Sequence, residues 1–189
     1  MSQSVYFGGS RNLSHQSQPV VASVVQAALL AGRCVHVGCA IGADQQVVNA
    51  CVEFINPFTA LHRVHLFTAF GPSGAGSWAG SAVSHAQIFS RAGGSVHWWA
   101  GGSASVSLVA RLMRRSIAGL RGCSSAIFFS PGRGSFKVMR QAVGMGIPVH
   151  VFQPSMPALI PGCAGSWSRA QFLGFVFWRW VPAQACLLQ

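Results

Sequence analysis

The chain has 189 residues, a length that fits one domain of ordinary size with a hydrophobic core of its own. Apolar residues make up 51% of the sequence and charged residues only 8%, which excludes a disordered, highly charged polypeptide. The charge is one-sided, with 13 Lys and Arg against 2 acids and a net charge of +11. Because charged residues are so few, much of the surface must consist of Ser, Gly, Gln and Ala or be covered by a partner. We therefore expect a homo-oligomer, a dimer or larger.

Short apolar runs alternate with longer segments of helical pattern, which is typical of a parallel α/β sheet. The predicted strands are 4–8, 34–38, 63–70, 95–100, 125–130 and 147–152. The predicted helices are 18–31, 43–55, a segment from the Gly/Ser-rich loop 71–81 to about residue 92, 105–121, and the stretch after Ser135. The fold class is therefore a Rossmann-like, doubly wound and mostly parallel sheet of about six or more strands, with helices on both faces.

Residues 1–152 are expected to form this domain. Residues 153–189, with three prolines by position 161 and then an aromatic run, are expected to be an appendage that packs on it or on a neighbouring subunit. Residues 1–17 lack the apolar stretch of a secretory signal, and the most apolar segment, 172–181, is too short to cross a bilayer. We therefore expect a cytoplasmic protein without a membrane partner.

The cysteine and histidine spacing does not indicate a metal site. No CxxC pair occurs among the six cysteines, at positions 34, 39, 51, 123, 163 and 186. In an intracellular protein they are expected to be reduced and mostly buried. His62 and His65 form an H-x-x-H pair without partner cysteines and are placed at a strand edge. We predict no metal and no cofactor.

Glycine-rich loops follow three of the predicted strands, at Gly8–Arg11, Gly38–Asp44 and Pro131–Ser135. In an open parallel sheet the carboxyl ends of the strands meet at one edge, where ligands bind. Glycine lets backbone N–H groups approach a phosphate, and the helix N-terminus behind each loop adds partial positive charge. The predicted phosphate- or nucleotide-binding residues are Gly9, Ser10, Arg11, Gly42, Asp44, Gly132, Arg133, Gly134 and Ser135.

Asp44 is one of only two acids, and its position allows two interpretations. It is either a helix-start carboxylate stabilised by the helix dipole or an acceptor for a ribose hydroxyl or a base edge. Asp44 and Glu53 lie more than two helical turns apart, so they do not form a paired-carboxylate site. Nothing in the sequence places Ser10, His15 and Asp44 as a nucleophilic triad. We predict no catalytic residues.

Seven of the thirteen positive charges lie within thirty residues: Arg111, Arg114, Arg115, Arg121, Arg133, Lys137 and Arg140. At about 100° per residue, the 105–121 helix places its large apolar residues (Val109, Leu112, Met113, Ile117 and Leu120) on one side and its four arginines on the other. The arginine face of this helix contains no acid, so we predict that its arginines are available to an external anion. The alternative is that they form an ordinary charged face in contact with solvent. The candidate nucleic-acid-binding residues are Arg111, Arg114, Arg115, Arg121, Lys137, Arg140 and Trp78.

Trp78 is included because it lies in a glycine loop, where an aromatic ring can stack on a base. Phe7 and Trp98 lie in predicted strands and are expected in the core.

These motifs together resemble the DprA/Smf–LOG (SLOG) superfamily of Rossmann-like domains, and the DprA side most closely. Gly9-Ser10-Arg11 resembles its G-S-R strand end, and "VGCAIGAD" at 37–44 is similar to S-G-x-A-x-G-I-D. "RRSIAGLRGCSSAIFF" at 114–129 is close to R-x-I-A-G-L-S-D-A-V-V-V. "GSFKVMRQAVGMGIPVHVF" at 134–152 resembles G-S-L-x-T-A-R-x-A-L-x-x-G-R-P-V-F-A-V. The resemblance covers roughly residues 4–152.

The resemblance implies a Rossmann-like sheet, often dimeric, with a positively charged pocket at the strand ends. In DprA-type members that pocket takes single-stranded DNA, and other members bind nucleotide-derived ligands. LOG-type members are phosphoribohydrolases with a P-G-G-x-G-T-x-x-E motif. Here the glutamate position is Val138, which can neither accept a proton nor stabilise an oxocarbenium-like charge.

The sequence therefore favours a non-catalytic protein that binds nucleic acid, single-stranded rather than duplex, through backbone phosphates. The alternative is a binder or sensor of a free nucleotide or nucleotide-derived messenger, which needs only the glycine loops. A LOG-like phosphoribohydrolase is a third, disfavoured alternative.

Overall fold

A computed structural model describes residues 3–14, 17–54, 61–77 and 79–183 of the chain. The strands are β1 (Ser4–Gly9), β2 (Cys34–Gly38), β3 (Val64–Phe67), β4 (Ser95–His97), β5 (Cys123–Phe129), β6 (Val149–Phe152), β7 (Gly165–Phe172) and β8 (Phe175–Pro182). The helices are α1 (Gln18–Leu30), α2 (Ala43–Phe54), α3 (Gly80–Arg91), α4 (Leu108–Leu120) and α5 (Arg133–Gly144). A short 3₁₀ turn, Leu61–Arg63, leads into β3.

Within the described residues the eight strands form one sheet, in the order β4-β3-β2-β1-β5-β6-β8-β7. The first six strands are parallel, whereas β8 runs antiparallel to β6 and β7 antiparallel to β8. The chain order reverses direction beside β1, as in doubly wound folds. The predicted fold class, a mostly parallel Rossmann-like sheet, is confirmed.

Helices cover both faces of the sheet, because alternate strand residues face opposite sides. Val5 and Phe7 of β1 pack in a core with α1, α2 and α3. Tyr6 and Phe128 pack in a second core with residues of α4 and α5, such as Leu120 and Met139. Phe7 is fully buried and Trp98 packs against the first core, as predicted.

Two predicted strands end earlier than the apolar runs suggest, β3 at Phe67 and β4 at His97. Beyond these points the Trp99 amide donates to the Phe70 carbonyl, and Trp99 has a positive φ of 54°. A left-handed residue breaks the extended ladder, so the chain turns there. Helix α4 begins at Leu108 instead of 105, because the Ser107 side chain accepts a hydrogen bond from the Ala110 amide and caps it.

Residues 165–182, part of the region expected to be an appendage, form the hairpin β7–β8, which extends the sheet next to β6. Its two-residue turn is Leu173-Gly174, with φ of 52° and 81°, as type I′ turns require. The sequence carried this signal as a Leu-Gly pair between aromatic residues. The signal was weak because Asn or Asp usually occupies the first turn position.

His150 of β6 is buried beneath the hairpin, stacked on Phe172 with ring centroids 4.6 Å apart. Its Nδ1 has no hydrogen-bond partner among the residues that the structure describes, and burial, with a smaller effect of Arg179, lowers the pKa of His150 to about 4. The folded protein therefore binds fewer protons at this histidine than the unfolded chain, in which the histidine pKa is about 6.5. The stability that comes from burying a neutral His150 is fully present above the unfolded-state pKa and is lost as the pH falls towards 4.

We predict that the melting temperature of the His150→Phe variant falls less than that of the native protein between pH 7 and pH 5. The phenyl ring keeps the packing against Phe172 but removes the group that must be protonated. Thermal unfolding followed by circular dichroism at each pH measures this. Parallel pH dependences for the two proteins would contradict the assignment of His150 as a destabilising titrating group.

Candidate functional site

Three loops meet at the carboxyl edge of the sheet because β2, β1 and β5 are neighbours in it. The Ser10 amide donates to the Phe129 carbonyl at 3.0 Å, and the Ala43 amide donates to the Ser10 carbonyl at 2.9 Å. The Ser135 hydroxyl donates to the Gly9 carbonyl at 3.0 Å. These bonds tie the loops after β1, β2 and β5 into one surface, which we call the rim.

Two of the predicted glycines are required by the packing of the rim itself. A Cβ at Gly9 would overlap the Phe129 carbonyl oxygen. Gly42 has φ of +87°, and a Cβ there would overlap the carbonyl oxygens of Ser10 and Arg11. Both positions therefore need glycine for close approach of one loop to another.

The N-terminus of α5 is open at this rim. Its N-cap is Gly132, no side chain caps it, and the Phe136 amide is the donor to the Gly132 carbonyl. The first N–H groups of a helix have no acceptor within the helix. Arg133 and Gly134 are exposed, and a side chain at Gly132 or Gly134 would meet only open space. This end can accept an anion from solvent.

A buried ion pair crosses the end of β2. The Arg115 Nη2 lies 3.1 Å from Asp44 Oδ2, and both side chains are almost completely buried. Within the described residues it is the one ion pair formed by side chains. Gly38 lies between the two helices, and a Cβ there would overlap both side chains. The pair therefore joins α2 on one face of the sheet to α4 on the other.

The Asp44 carboxylate is already paired with Arg115 inside the protein. Its burial at this position therefore does not require a ribose hydroxyl or a base edge as a partner. Burial raises the pKa of the Asp44 carboxyl, whereas the Arg115 guanidinium, Arg11 and a hydrogen bond from Ala40 act in the opposite direction. Burial also raises the pKa of the neighbouring Tyr6 to about 12, so that its hydroxyl stays neutral.

The predicted orientation of α4 was partly wrong: Leu120 is buried and Arg114 and Arg121 are exposed as expected, but three other residues lie on the opposite side from the prediction. Arg111 and Arg115, expected on an exposed face, are each only 6% exposed. Val109, expected in the core, is 74% exposed. The inner face instead contains Gly119, where a Cβ would meet the rings of Tyr6 and Phe67. The expectation failed because it assumed that no carboxylate was available, whereas Asp44 approaches from 71 residues earlier in the chain.

Arg111 is buried without a carboxylate among the described residues. Its Nη1 donates to the Ala69 carbonyl at 2.8 Å, and its guanidinium lies 5.3 Å from the centroid of the Trp99 ring. A Cβ at Gly76 would overlap the same guanidinium. Arg111 therefore holds the loop after β3 against α4 by a hydrogen bond and a cation–π contact.

The remaining predicted cations are distributed unevenly. Arg114 and Arg121 are exposed on α4. Arg121 is the C-cap that leads into β5, so it lies at the edge of the sheet opposite the rim. Arg11 lies in the rim and acts electrostatically on Asp44. Trp78 and His15 lie outside the described residues.

Three exposed cations follow one another along α5, beginning at the rim: Arg133, Lys137 and Arg140. They line a groove between α4, α5 and residues 158–161, with a cavity volume of about 510 Å³. The rest of its lining consists of Met113, Phe136, Gln141, Ala158, Leu159 and Pro161. Sequence reasoning missed the apolar wall, because residues 158–161 are far from α5 in the chain.

Val138, the residue at the glutamate position of the LOG motif, is buried in the core beside Met139. Among the described residues no three histidine, cysteine or acidic side chains are grouped so that they could hold a metal ion. In the same part of the chain, no helix has the length and hydrophobicity needed to cross a membrane.

No protein-family model and no curated protein matches the chain. The solved structures that share its fold include two of DNA processing protein A. DNA processing protein A from Helicobacter pylori aligns with a TM-score of 0.64 and 13% identity, over 81% of this chain and 66% of that one. DprA from Streptococcus pneumoniae aligns with a TM-score of 0.59 and 18% identity, over 85% of this chain and 52% of that one.

The chain thus spans about two thirds of the first protein and about half of the second. The H. pylori structure is described as showing a single-stranded DNA binding mode. At these identities the likeness establishes the fold, which is the Rossmann-like fold of DprA. The resemblance found in the sequence motifs is confirmed at this level.

We predict that Asp44→Asn destabilises the protein by about 3–5 kcal/mol, because it leaves the Arg115 charge buried without its counter-ion. Denaturant unfolding measures the change. Glu53→Gln is the matched control, since Glu53 is the other acid of α2 and is exposed; its effect is expected within about 0.5 kcal/mol. Equal effects of the two substitutions would contradict a structural role for the ion pair.

Proposed function

We propose that this protein binds single-stranded nucleic acid through the rim and the basic face of α5, without catalysing a reaction on it. The observation that carries the proposal is the row of exposed cations, Arg133, Lys137 and Arg140, which continues from the uncapped N-terminus of α5. A helix N-terminus and a row of cations both favour successive phosphates.

Neither acidic side chain of the protein neutralises this row. Asp44 is buried and paired with Arg115, and Glu53 belongs to α2, which packs on the opposite face of the sheet from α5. With a net charge of +11 and no acid near the groove, the field at this surface has one sign. Such a field attracts polyanions and raises their association rate.

The fold comparison supports the same class of ligand. The H. pylori protein with this fold is described as binding single-stranded DNA, and the fold is shared over most of the present chain. The rim residues Gly9, Ser10 and Arg11 and the loop Gly132–Ser135 are the elements that would receive phosphates here.

An open groove is a better match to a polymer than to a small messenger. The cavity lined by Gly38, Cys39 and Asp44 at the end of β2 has a volume of only about 10 Å³, room for a single water molecule. The groove beside α5 is about 510 Å³ and open to solvent along the helix. The nucleotide-sensor alternative would need an enclosed pocket at the rim.

We predict that a single-stranded oligonucleotide binds with an affinity that falls steeply as salt rises. The double variant Arg133→Gln/Lys137→Gln should bind more weakly and reduce the slope of log K against log salt by about 1.4, which corresponds to two lost phosphate contacts. Fluorescence anisotropy with a labelled oligonucleotide at several salt concentrations measures both.

The control is Arg91→Gln/Arg121→Gln, which also removes two positive charges, but from exposed positions away from the groove. It should leave the slope nearly unchanged. Equal losses in the two double variants would show that only the net charge matters and would refute the proposed site. Absence of binding even at low salt would refute the function.

A further inference from the structure

The groove beside α5 has two unlike walls, of which phosphate binding uses only one. One wall carries the positive charges of Arg133, Lys137 and Arg140. The other is apolar and is formed by Met113 of α4 with Ala158, Leu159 and Pro161, whereas Phe136 lies on α5 among the cations. Its volume of about 510 Å³ leaves room for one small-molecule-sized part of a polymer.

The apolar wall is exposed to solvent. Leu159 is 63% exposed, and Met156 nearby is also largely exposed. Phe136 packs against the second core, is only partly buried and lines the groove. Clustered apolar side chains beside a row of cations mark an interaction site more often than isolated exposed residues do.

We infer that this groove holds an unpaired nucleobase of the strand whose phosphates lie along α5, an inference that rests on the proposed function. Every base has a π-face that packs on an aromatic ring or an apolar surface, whatever its sequence. The half-buried Gln141 amide in the groove can both donate to and accept from a base edge.

The dimensions of α5 fit this arrangement. From Arg133 to Arg140 the helix rises about 10 Å, which spans a few nucleotides of a stacked single strand. A nucleic-acid strand presents its phosphates in one row and its bases in another. The groove likewise has its cations on α5 and most of its apolar lining on α4 and residues 158–161.

A second copy of the chain is a poor partner for the row of cations, because its one acid outside the buried ion pair is Glu53. A duplex is also a poor occupant, because its bases are paired and stacked inside the helix. The base site therefore gives the protein a preference for single strands that phosphate contacts alone would not give.

Photo-crosslinking locates the base directly. A thymidine oligonucleotide with one 5-iodouracil is bound to the full chain and irradiated, and the modified peptides are identified by mass spectrometry. We expect crosslinks at Phe136 or Met113 that an excess of unlabelled oligonucleotide suppresses. Crosslinks confined to peptides outside the groove would overturn the inference.

A substitution in the groove gives an independent measurement. Leu159→Ser should weaken binding of a thymidine oligonucleotide by about fivefold, the low end for loss of one stacked base. It should leave binding of an abasic sugar–phosphate oligomer of equal length unchanged. Leu30→Ser is the control, because Leu30 is a similarly exposed leucine (73%) on α1, away from the groove.

The outcomes separate this inference from the proposed function. Salt-dependent binding that Leu159→Ser leaves unchanged, with equal affinity for the thymidine and abasic oligomers, would overturn the base site and leave phosphate binding intact. No binding of either oligomer would refute both. A third result would assign the groove to a protein partner and overturn the base site. In that case Leu159→Ser would weaken binding of an acidic, leucine-containing peptide but leave the affinity for the oligonucleotide unchanged.

Discussion

The buried ion pair between Asp44 and Arg115 is the interaction on which the organisation of the rim depends. It connects a helix on one face of the sheet to a helix on the other, across the end of β2. The same guanidinium also donates to the Phe67 carbonyl at the end of β3. Two charges removed from water are stabilised only if their geometry and hydrogen bonds are good, so the pair requires the backbone around Gly38 to stay in place.

The pair also determines which charges remain outside. It uses the carboxylate of Asp44, and the other acid, Glu53, lies on the opposite face from α5. Arg111 is held by the Ala69 carbonyl and the Trp99 ring and is removed from solvent. The exposed cations of α5 and Arg114 of α4 are therefore left without acidic partners among the described residues. The surface beside the rim is positive because the acids of this chain are few and one of them is buried.

The groove joins this charge to an apolar wall. Residues 158–161 come from the segment between β6 and the hairpin β7–β8, and Ile160 and Trp167 anchor that region in the core of α4 and α5. The Trp167 indole donates to the Ala158 carbonyl at 2.9 Å, which fixes the segment beside the helix. The hairpin thus contributes to the groove as well as extending the sheet. A row of cations and an apolar surface are brought together in this way.

The sequence by itself determined the class of fold, the positions of the six parallel strands and the three glycine loops at one edge. These depend on local periodicity and on turn chemistry, which act over a few residues. The motifs of DprA pointed to the same fold. The cluster of cations between 111 and 140 was also evident, because charge can be counted without a structure.

Only the tertiary structure decided which cations face solvent. The partner of Arg115 comes from 71 residues earlier, and a helical wheel does not contain that contact, so two arginines were placed on the wrong side of α4. The tertiary structure also decided the antiparallel edge of the sheet, whose turn lacks the usual Asn or Asp, and the apolar wall of the groove. In each case the deciding contact joins residues distant in sequence, and its free energy depends on burial that no local pattern records.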